Sequence, residues 1–307
     1  MNILRVGTDC SGIEAPIQAL MQMNIPFKHV FSSDIDKYCI QSIKANYNPE
    51  IIFGDKDGSF KEGDITKRDI NNVPDIDLYV CGFPCQPFSI TGEKKGFTDT
   101  RGTVFFSCME VIKIKQPKYF ILENVKGLIG HNKGNTWKVI QEHLDSISDI
   151  YDVYNKILNT RKYGIPQNRE RIFIVGIKKS LKKKFNWPNE IKLEDLKKII
   201  DNTCNYKDKI TDTVKHTLDK SSKSAIFVDR GQPNSTYPCA DKYTPTLTTQ
   251  NHLWCIPKSR FATHNERLML QGFPINFKKV VSKTQFNKQI GNSMSVNVLK
   301  ELLKEIL

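Results

Sequence analysis

The chain lacks the features that mark secreted, membrane-spanning and zinc-binding proteins. Its first residues, Met1–Arg5, contain no apolar core of a signal peptide, and no apolar run approaches membrane-spanning length. The eight cysteines form no CxxC pairs with histidines nearby, which argues against a metal site and favours free, mostly packed thiols. We therefore expect a soluble intracellular protein without a metal ion.

Acidic residues are also scarce relative to basic ones. Forty-six lysines and arginines oppose thirty-three acidic residues, which gives a formal net charge of +13. Part of this excess lies in residues 178–223, where thirteen lysines stand against seven acidic residues. An excess of this size favours an anionic partner, most simply a nucleic acid. A basic enzyme surface that binds no polyanion is the alternative, and charge alone does not exclude it.

The 307 residues, 39% of them hydrophobic, suffice for a sizeable core and a second, smaller unit. Up to about Gly176, short β-rich runs alternate with amphipathic stretches of helix length, which predicts a mainly parallel sheet flanked by helices. The predicted strands are Ile3–Val6, His29–Ser33, Leu78–Cys81, Tyr119–Glu123 and Ile172–Ile177. The predicted helices are Ala15–Met23, Lys37–Asn46, Val104–Lys115 and Thr136–Ser146.

After Gly176 the periodicity weakens and lysines accumulate, which predicts a small second domain with a solvated basic face. Disorder is the alternative, but Ile226–Val228 and Leu253–Ile256 supply apolar anchors against it. The final stretch, Val296–Leu307, is amphipathic again and is predicted to pack as a helix on the first domain.

A cysteine stands in a proline-braced turn directly after one predicted strand. In Gly82–Ser89, Pro84 and Pro87 restrict φ on both sides of Cys85 and Gln86. A thiol on a stiff loop at the end of a strand is where a positioned nucleophile would sit. A buried, apolar cysteine in a tight loop is the alternative.

Three segments fit an adenosine-type ligand at the carboxyl edge of the sheet. Val6–Ala15 runs from a strand through a small-residue turn into a helix, which is either the usual cradle in a doubly wound sheet or a simple strand–helix connection. Asp34 follows the next strand and could accept hydrogen bonds from ribose hydroxyls, although Asp34 or Asp36 could instead cap a helix. Asp64 and Ile65 could contact an adenine, or simply form a turn.

Two further motifs place charged groups near the same edge. Glu123 follows four apolar residues and should lie at the same edge as Cys85, where loss of water would raise its pKa and make it a usable proton donor. A salt-bridged or capping glutamate is the alternative. Arg169 and Arg171 lie two apart on an extended segment and so point the same way, towards a phosphate, a base carbonyl or Glu123. A solvated surface run is the alternative.

Together these motifs resemble the DNA (cytosine-5)-methyltransferase family. The resemblance is carried, in order, by the Gly12 turn, Asp34, Asp64-Ile65, Pro84-Cys85-Gln86, Glu123-Asn124-Val125, Gln167-x-Arg169-x-Arg171 and Gln289-Ile290-Gly291-Asn292-Ser293. It covers essentially the whole chain except about residues 180–240, where the family varies. It implies a Rossmann-like, S-adenosylmethionine-dependent methyltransferase fold, with a catalytic domain at 1–178 and 285–307 and a small target-recognition domain with a hinge at 179–284.

The resemblance also implies a reaction and a set of site residues. The reaction is methylation of cytosine carbon 5 in double-stranded DNA, by base flipping and a covalent bond from Cys85 to carbon 6, with S-adenosylmethionine converted to S-adenosylhomocysteine. The implied catalytic residues are Cys85, Glu123, Arg169 and Arg171. The implied cofactor-binding residues are Cys10, Ser11, Gly12, Ile13, Asp34, Ile35, Asp64, Ile65, Pro84, Asn292 and Ser293, and the implied DNA contacts are Gln86, Ser89 and Arg101.

The first motif departs from the family pattern. The family commonly reads Asp-Leu-Phe-x-Gly-x-Gly-Gly where this chain has Thr8–Ala15. Cys10 stands where a phenylalanine commonly packs on the adenine, and Glu14 and Ala15 replace two glycines. Asp34 stands where glutamate is commoner.

Two alternatives come from other functional classes. One branch of the family modifies transfer RNA, but it tends to carry a Cys-Phe-Thr signature where this chain has Pro238–Ala240, and Phe88-Ser89 here also favours DNA. The other is a silent DNA-binding relative, against which the joint presence of Cys85, Glu123 and Arg171 argues. We expect a monomer, in the cytoplasm or on the nucleoid, for which a cognate restriction endonuclease is a candidate partner.

Overall fold

The computed structural model describes residues 3–57, 62–84, 104–230 and 242–307. Its larger sheet consists of β1 (Leu4–Asp9), β2 (Phe27–Ser33), β3 (Ile51–Phe53), β4 (Leu78–Gly82), β5 (Tyr119–Val125), β6 (Tyr151–Asn159) and β7 (Glu170–Lys178). The spatial order is β3-β2-β1-β4-β5-β7-β6. The first five strands pair in parallel, whereas β7 runs antiparallel to both of its neighbours. The predicted mainly parallel, Rossmann-like sheet is confirmed.

The described helices are α1 (Ala15–Gln22), α2 (Lys37–Asn46), α3 (Val104–Lys115), α4 (Asn135–Asp145), α5 (Asp212–Asp219), α6 (His264–Met269), α7 (Lys283–Asn292) and α8 (Val296–Ile306). The helices predicted in this sheet region, and the C-terminal one, agree with these bounds to within one residue at each end. No helix in the described ranges combines the length and apolar character needed to cross a membrane.

The chain crosses over between β1 and β4. β1 lies between β2 and β4, so the order of strands reverses direction at this point. In open α/β sheets, ligands bind outside the carboxyl ends of the strands at such a switch point. A ligand crevice is therefore expected beside the turn after β1 and the carboxyl ends of β2, β4 and β5.

Both faces of the larger sheet are covered, which explains the continuous apolar strands. In β4, Leu78 and Val80 belong to an apolar cluster that includes residues of α1 and α8. Tyr79 and Cys81 point to the other face and join a cluster with residues of α3 and α4. Because successive side chains alternate between faces, a strand that is buried on both sides shows no polar alternation.

A smaller antiparallel sheet lies in the segment predicted to recognise the target. It consists of β8 (Phe227–Asp229), β9 (Leu253–Cys255) and β10 (Arg260–Phe261), in the order β10-β9-β8. These strands contain the two predicted apolar anchors. Trp254 is buried in a separate small cluster with α5 residues, while Phe227 and Leu253 join the cluster that covers β4. The domain boundaries stay a prediction.

Candidate active site

Several predicted site residues lie outside the described part of the chain: Cys85, Gln86, Ser89, Arg101 and the segment Pro238–Ala240. The structure describes how the chain reaches them. β4 ends at Gly82, which pairs with Glu123 on β5. Phe83 is buried, and its carbonyl accepts a hydrogen bond from Asn124 Nδ2 at 2.8 Å. The exposed Pro84 follows, so the last described residue before Cys85 lies at the edge that carries Glu123.

Gly82, at the end of β4, lies close to both Met294 and Glu123. A Cβ added at Gly82 would lie 2.9 Å from Met294 Cε and 3.6 Å from Glu123 Oε2. Met294 is itself buried and follows Ser293 in the C-terminal motif. The strand that leads to Cys85, the carboxyl of Glu123 and the C-terminal motif therefore meet at Gly82.

Glu123 is buried with an oxygen free to accept a hydrogen bond. It is 7% exposed, and Arg171 Nε lies 3.3 Å from Oε1. This ion pair lacks hydrogen-bond alignment, because Oε1 accepts no hydrogen bond from any described residue. Burial raises the pKa of Glu123, as predicted, and outweighs the opposing effects of Arg171 and then Arg169. The carboxyl therefore stays protonated to a higher pH than an exposed glutamate.

The two predicted arginines occupy different environments. Arg171 pairs with Val125 across β7 and β5, so its side chain shares a face with Glu123 two residues away. Its Nη1 donates to the carbonyl of Glu170 at 2.8 Å. Burial lowers the pKa of Arg171, while Glu123 raises it.

Arg169 holds three backbone carbonyls together. Its side chain is buried; Nη1 donates to Leu247 O at 3.1 Å, and Nη2 donates to Gly291 O at 3.1 Å and Ser293 O at 2.8 Å. Burial lowers its pKa to about 9, with Arg171 adding to the effect. These contacts join Leu247, in the predicted target-recognition domain, to Gly291 and Ser293 in the C-terminal motif. The guanidinium of Arg169 therefore donates to backbone carbonyls and not to Glu123. Of the two arginines implied to be catalytic, only Arg171 lies beside Glu123, whereas the side chain of Arg169 is engaged by backbone carbonyls.

Residues 243–249, within the predicted target-recognition domain, lie beside Gln167 without forming a strand. Tyr243–Thr249, which by composition alone predicts a β-strand, makes only an isolated bridge between Thr244 and Gln167 in the described residues. Gln167 Oε1 accepts from Leu247 N at 2.9 Å, so a side chain replaces a strand partner. Pro245 lacks an N–H, which explains why no ladder extends through the segment.

The turn after β1 is tied to the end of β2. Gly12 has φ +57, and its N–H donates to Asp34 Oδ2 at 2.9 Å. Asp36 N donates to the other Asp34 oxygen at 2.8 Å, whereas Asp36 itself caps α2 by accepting from Tyr38 N. Burial raises the pKa of Asp34, against the two backbone hydrogen bonds. Asp36 is therefore the helix cap, and Asp34 lies beside the Gly12 turn at the end of β2; its role as a cofactor contact stays a prediction.

Two glycines that the motif search missed surround Asp34. A Cβ at either Gly54 or Gly63 would collide with the carbonyl oxygen of Asp34. Gly54 has φ +95, a conformation that other residues rarely adopt. A Gly-Asp pair after a short strand is the only signal in the sequence that could have found Gly54.

The other predicted cofactor-binding residues differ in their exposure: some are exposed and others are buried. Ile35 is 79% exposed, so its apolar side chain is open to contact beside Asp34. Ile65 is buried in the apolar cluster, and hydrogen bonds from Thr66 lower the pKa of Asp64 despite some loss of water. Half-buried Cys10 joins the same apolar cluster. Asn292 is exposed.

A buried ion pair fastens the Asp64 loop beneath the crevice. Arg68 donates to both carboxylate oxygens of Asp9, at 2.8 and 2.9 Å, and Tyr79 donates to Asp9 Oδ2 at 2.8 Å. The guanidinium also lies 4.5 Å from the ring centroid of Phe53. Bidentate pairing fixes orientation as well as distance. Sequence reasoning missed Arg68, because nothing in its local pattern points to a partner 59 residues away.

Across the described ranges, no three or more His, Cys, Asp or Glu side chains are arranged to hold a metal ion.

Comparisons with known proteins agree with this geometry. A family model described as C-5 cytosine-specific DNA methylase matches residues 9–307. Type II methyltransferase M1.ScrFI of Lactococcus lactis subsp. cremoris is 38% identical over 296 residues, 91% of this chain and 72% of the relative. Type II methyltransferase M.HaeII of Haemophilus aegyptius is 39% identical over 289 residues, 90% and 84% of the two chains. A solved structure of Spodoptera frugiperda DNMT2, 17% identical, superposes with a TM-score of 0.73 and covers 99% of both chains. The chain thus belongs to the C-5 cytosine-specific DNA methylase family and is a DNA cytosine-5 methyltransferase.

Proposed function

We propose that this enzyme transfers a methyl group from S-adenosylmethionine to cytosine carbon 5 in duplex DNA, through a covalent bond between Cys85 and carbon 6. The observation that supports it most is the environment of Glu123. The carboxyl is buried, its pKa is raised, and one oxygen accepts no hydrogen bond from the described residues. It lies beside the strand end that leads to Pro84 and Cys85.

The residues at the switch point fit an adenosine-type cofactor. Asp34 presents carboxylate oxygens there and Ile35 offers an exposed apolar surface, while Gly54 and Gly63 let the backbone pack against the Asp34 carbonyl oxygen, where a Cβ would collide. Asp64 and Gly12 complete the set that would hold the cofactor. When bound, S-adenosylmethionine supplies an electrophilic methyl group.

The residues of this chain would activate the target cytosine in successive steps. The target cytosine must leave the stack, which costs a few kcal/mol. The Cys85 thiolate then adds to carbon 6, and protonated Glu123 donates a hydrogen bond to ring nitrogen 3, where negative charge develops. Arg171, on the same face as Glu123, contacts the base carbonyl. After methylation at carbon 5, a base removes the proton there and elimination releases the thiolate.

Arg169 takes a positioning role in this scheme. Its guanidinium holds Leu247 beside Gly291 and Ser293, so it joins the recognition segment to the C-terminal motif. Because its guanidinium is engaged by these carbonyls, Arg169 sets the relative position of the two segments rather than touching the base.

The type II names of the relatives support a role in restriction and modification. A companion endonuclease is then a functional partner, with the methyltransferase acting as an intracellular monomer on DNA.

The proposal is tested by sequencing that detects 5-methylcytosine in DNA from cells that express the protein. We expect methylation within a short fixed sequence, and none in cells that express the Cys85→Ala variant at the same level. Methylation confined to transfer RNA would favour the RNA-directed alternative. Unmethylated DNA and RNA, with folded protein present, would contradict the proposal.

A further inference from the structure

Glu14 combines a strained backbone with complete burial. Its φ of +60 and ψ of +51 lie in the left-handed region that favours glycine. None of its surface is exposed. The family pattern that the chain resembles has a glycine at this position. A glutamate here introduces both backbone strain and a buried carboxyl, so its side-chain contacts must offset both.

One carboxylate oxygen of Glu14, Oε1, lies close to three polar side chains. Thr8 Oγ1 donates to Oε1 at 2.6 Å and Ser32 Oγ donates to it at 2.5 Å. His29 Nε2 lies 3.4 Å from the same oxygen and 3.0 Å from Ser32 Oγ. Ser32 has one hydroxyl hydrogen and gives it to Glu14, so it accepts from His29, whose hydrogen must then be on Nε2. Glu14 therefore ties β1, which carries Thr8, to β2, which carries Ser32.

The same region of the turn is tied to the end of β2. Ser33 N donates to Ser11 Oγ at 2.9 Å, and Ser11 N donates to Ser33 O at 3.0 Å. Gly12 N donates to Asp34 Oδ2 at 2.9 Å. Ser32, the partner of Glu14, is two residues before Asp34 on the same strand. The contacts of Glu14 with Thr8 and Ser32 thus join β1 to β2 directly beside the contacts that Ser11 and Gly12 make with the end of β2.

We propose that Glu14 is a positioning residue that sets the spacing between the Gly12 turn and Asp34, and so the affinity for the adenosine part of the cofactor. The proposal rests on the proposed function, because it takes Asp34 as a cofactor contact. Glu14 touches neither Glu123 nor Arg171 among the contacts described. Its loss should therefore weaken cofactor binding without slowing the chemistry once cofactor is bound.

The test measures binding of S-adenosylhomocysteine to the full chain by titration calorimetry, together with steady-state kinetics. We expect Glu14→Ala to weaken binding at least tenfold and to raise the KM for S-adenosylmethionine similarly, with kcat at saturating cofactor within twofold of the parent. Ser32→Ala, which removes one donor, should weaken binding severalfold.

A glycine variant separates positioning from backbone strain. Glu14→Gly relieves the left-handed conformation, so it should resist denaturant better than Glu14→Ala. It still lacks the acceptor for Thr8 and Ser32, so its affinity for S-adenosylhomocysteine should stay low. Glu14→Gln keeps an amide oxygen as acceptor and should recover part of the affinity.

Asp77→Ala is the matched control. Asp77 is a buried carboxylate on the same sheet, but it lies just before β4 at the opposite edge and accepts from Arg5 N at 2.9 Å. The Asp77→Ala variant should be less stable than the parent but should bind S-adenosylhomocysteine with the parent affinity. Parent affinity in Glu14→Ala and Ser32→Ala would overturn the inference, and so would a loss in Asp77→Ala equal to that in Glu14→Ala. A parent protein that binds neither S-adenosylhomocysteine nor S-adenosylmethionine would instead overturn the proposed function.

Discussion

At the scale of single residues, the site depends on carboxyl groups whose pKa values are raised by burial. Glu123 and Asp34 both lie at strand ends at the carboxyl edge of the sheet, and burial raises the pKa of each. Glu123 follows the apolar residues at the start of β5, and Asp34 directly follows β2. Arg171 remains close enough to Glu123 to oppose the shift without reversing it.

Replacing Glu123 with glutamine should separate activity from stability. The raised pKa means that the folded protein holds this proton more tightly than the unfolded chain, so ionisation of Glu123 costs stability as pH rises through its folded pKa. Glu123→Gln should therefore have a higher Tm than the parent at pH 8, and nearly the same Tm at pH 4, where the carboxyl is protonated in both states. The measurement is thermal unfolding across this pH range.

The same variant should lose activity, because its amide cannot release or take up the proton that the reaction requires. General acid groups contribute about 10²- to 10⁴-fold, so a fall in kcat within that range is expected. Unchanged kcat, or a Tm difference that grows towards low pH, would contradict the role given to Glu123.

Local sequence could predict these residues only when their partners are also local. Asp36 and Tyr38 form a helix cap within two residues, and Glu123 directly follows the apolar residues of its own strand. The carbonyls held by Arg169 come from residues 78 to 124 positions later in the chain. The acceptor role of Glu14 likewise depends on Ser32 in the next strand. No pattern within a single segment indicates such contacts.

At the scale of secondary-structure elements, strands buried on both faces could be predicted from the sequence and the others could not. β4 and β5 are continuous apolar runs, so their positions were evident. β6 mixes polar and apolar residues at the edge of the sheet, and β3 has only three residues, so neither gives a clear pattern. α2 was predicted with its full length because its apolar residues recur at helical spacing.

The end of β4 offers a test of packing between elements. Gly82→Ala should press on Met294 Cε, the flexible tip of a long side chain, and cost about 1 kcal/mol of the free energy of unfolding. Met294→Ala should remove the clash, so a double-mutant cycle measured in denaturant should show a favourable coupling of about 0.5–1 kcal/mol.

Gly176→Ala is the matched comparison for this cycle. Its new Cβ would fall within the ring of Phe120, which is fully buried and cannot swing aside. It should destabilise the protein more than Gly82→Ala does. Additive effects of Gly82→Ala and Met294→Ala would show that the two residues do not share the contact described.

At the scale of the whole molecule, the two sheets contribute residues to one shared apolar cluster, and lysines are concentrated in residues 178–223. The strand and helix alternation predicts the larger sheet, and the lysine-rich segment marks the region that contains the smaller one. How the two are joined was not predictable, since the junction consists of Arg169, Gln167 and backbone groups from distant segments.

Exposed lysines of the recognition segment should carry part of the affinity for DNA. Lys207→Gln with Lys209→Gln should weaken binding to a duplex and reduce the slope of log affinity against log salt by about 2, because each phosphate contact contributes about 0.9. Lys113→Gln with Lys115→Gln, at the end of α3, removes the same charge and should leave the slope unchanged. Equal changes in both pairs would indicate only a general charge effect.

The central claim is that a cysteine thiolate bonds to carbon 6 of a flipped cytosine while a neighbouring acid steadies the ring. Its most direct test uses a duplex with 5-fluorocytosine at the methylated position, since fluorine at carbon 5 blocks the final proton removal and so prevents elimination. With the full chain and S-adenosylmethionine, the account predicts a protein–DNA adduct that survives denaturing electrophoresis and is absent with Cys85→Ala. Active enzyme that gives no adduct, or an adduct that persists in Cys85→Ala, would contradict it.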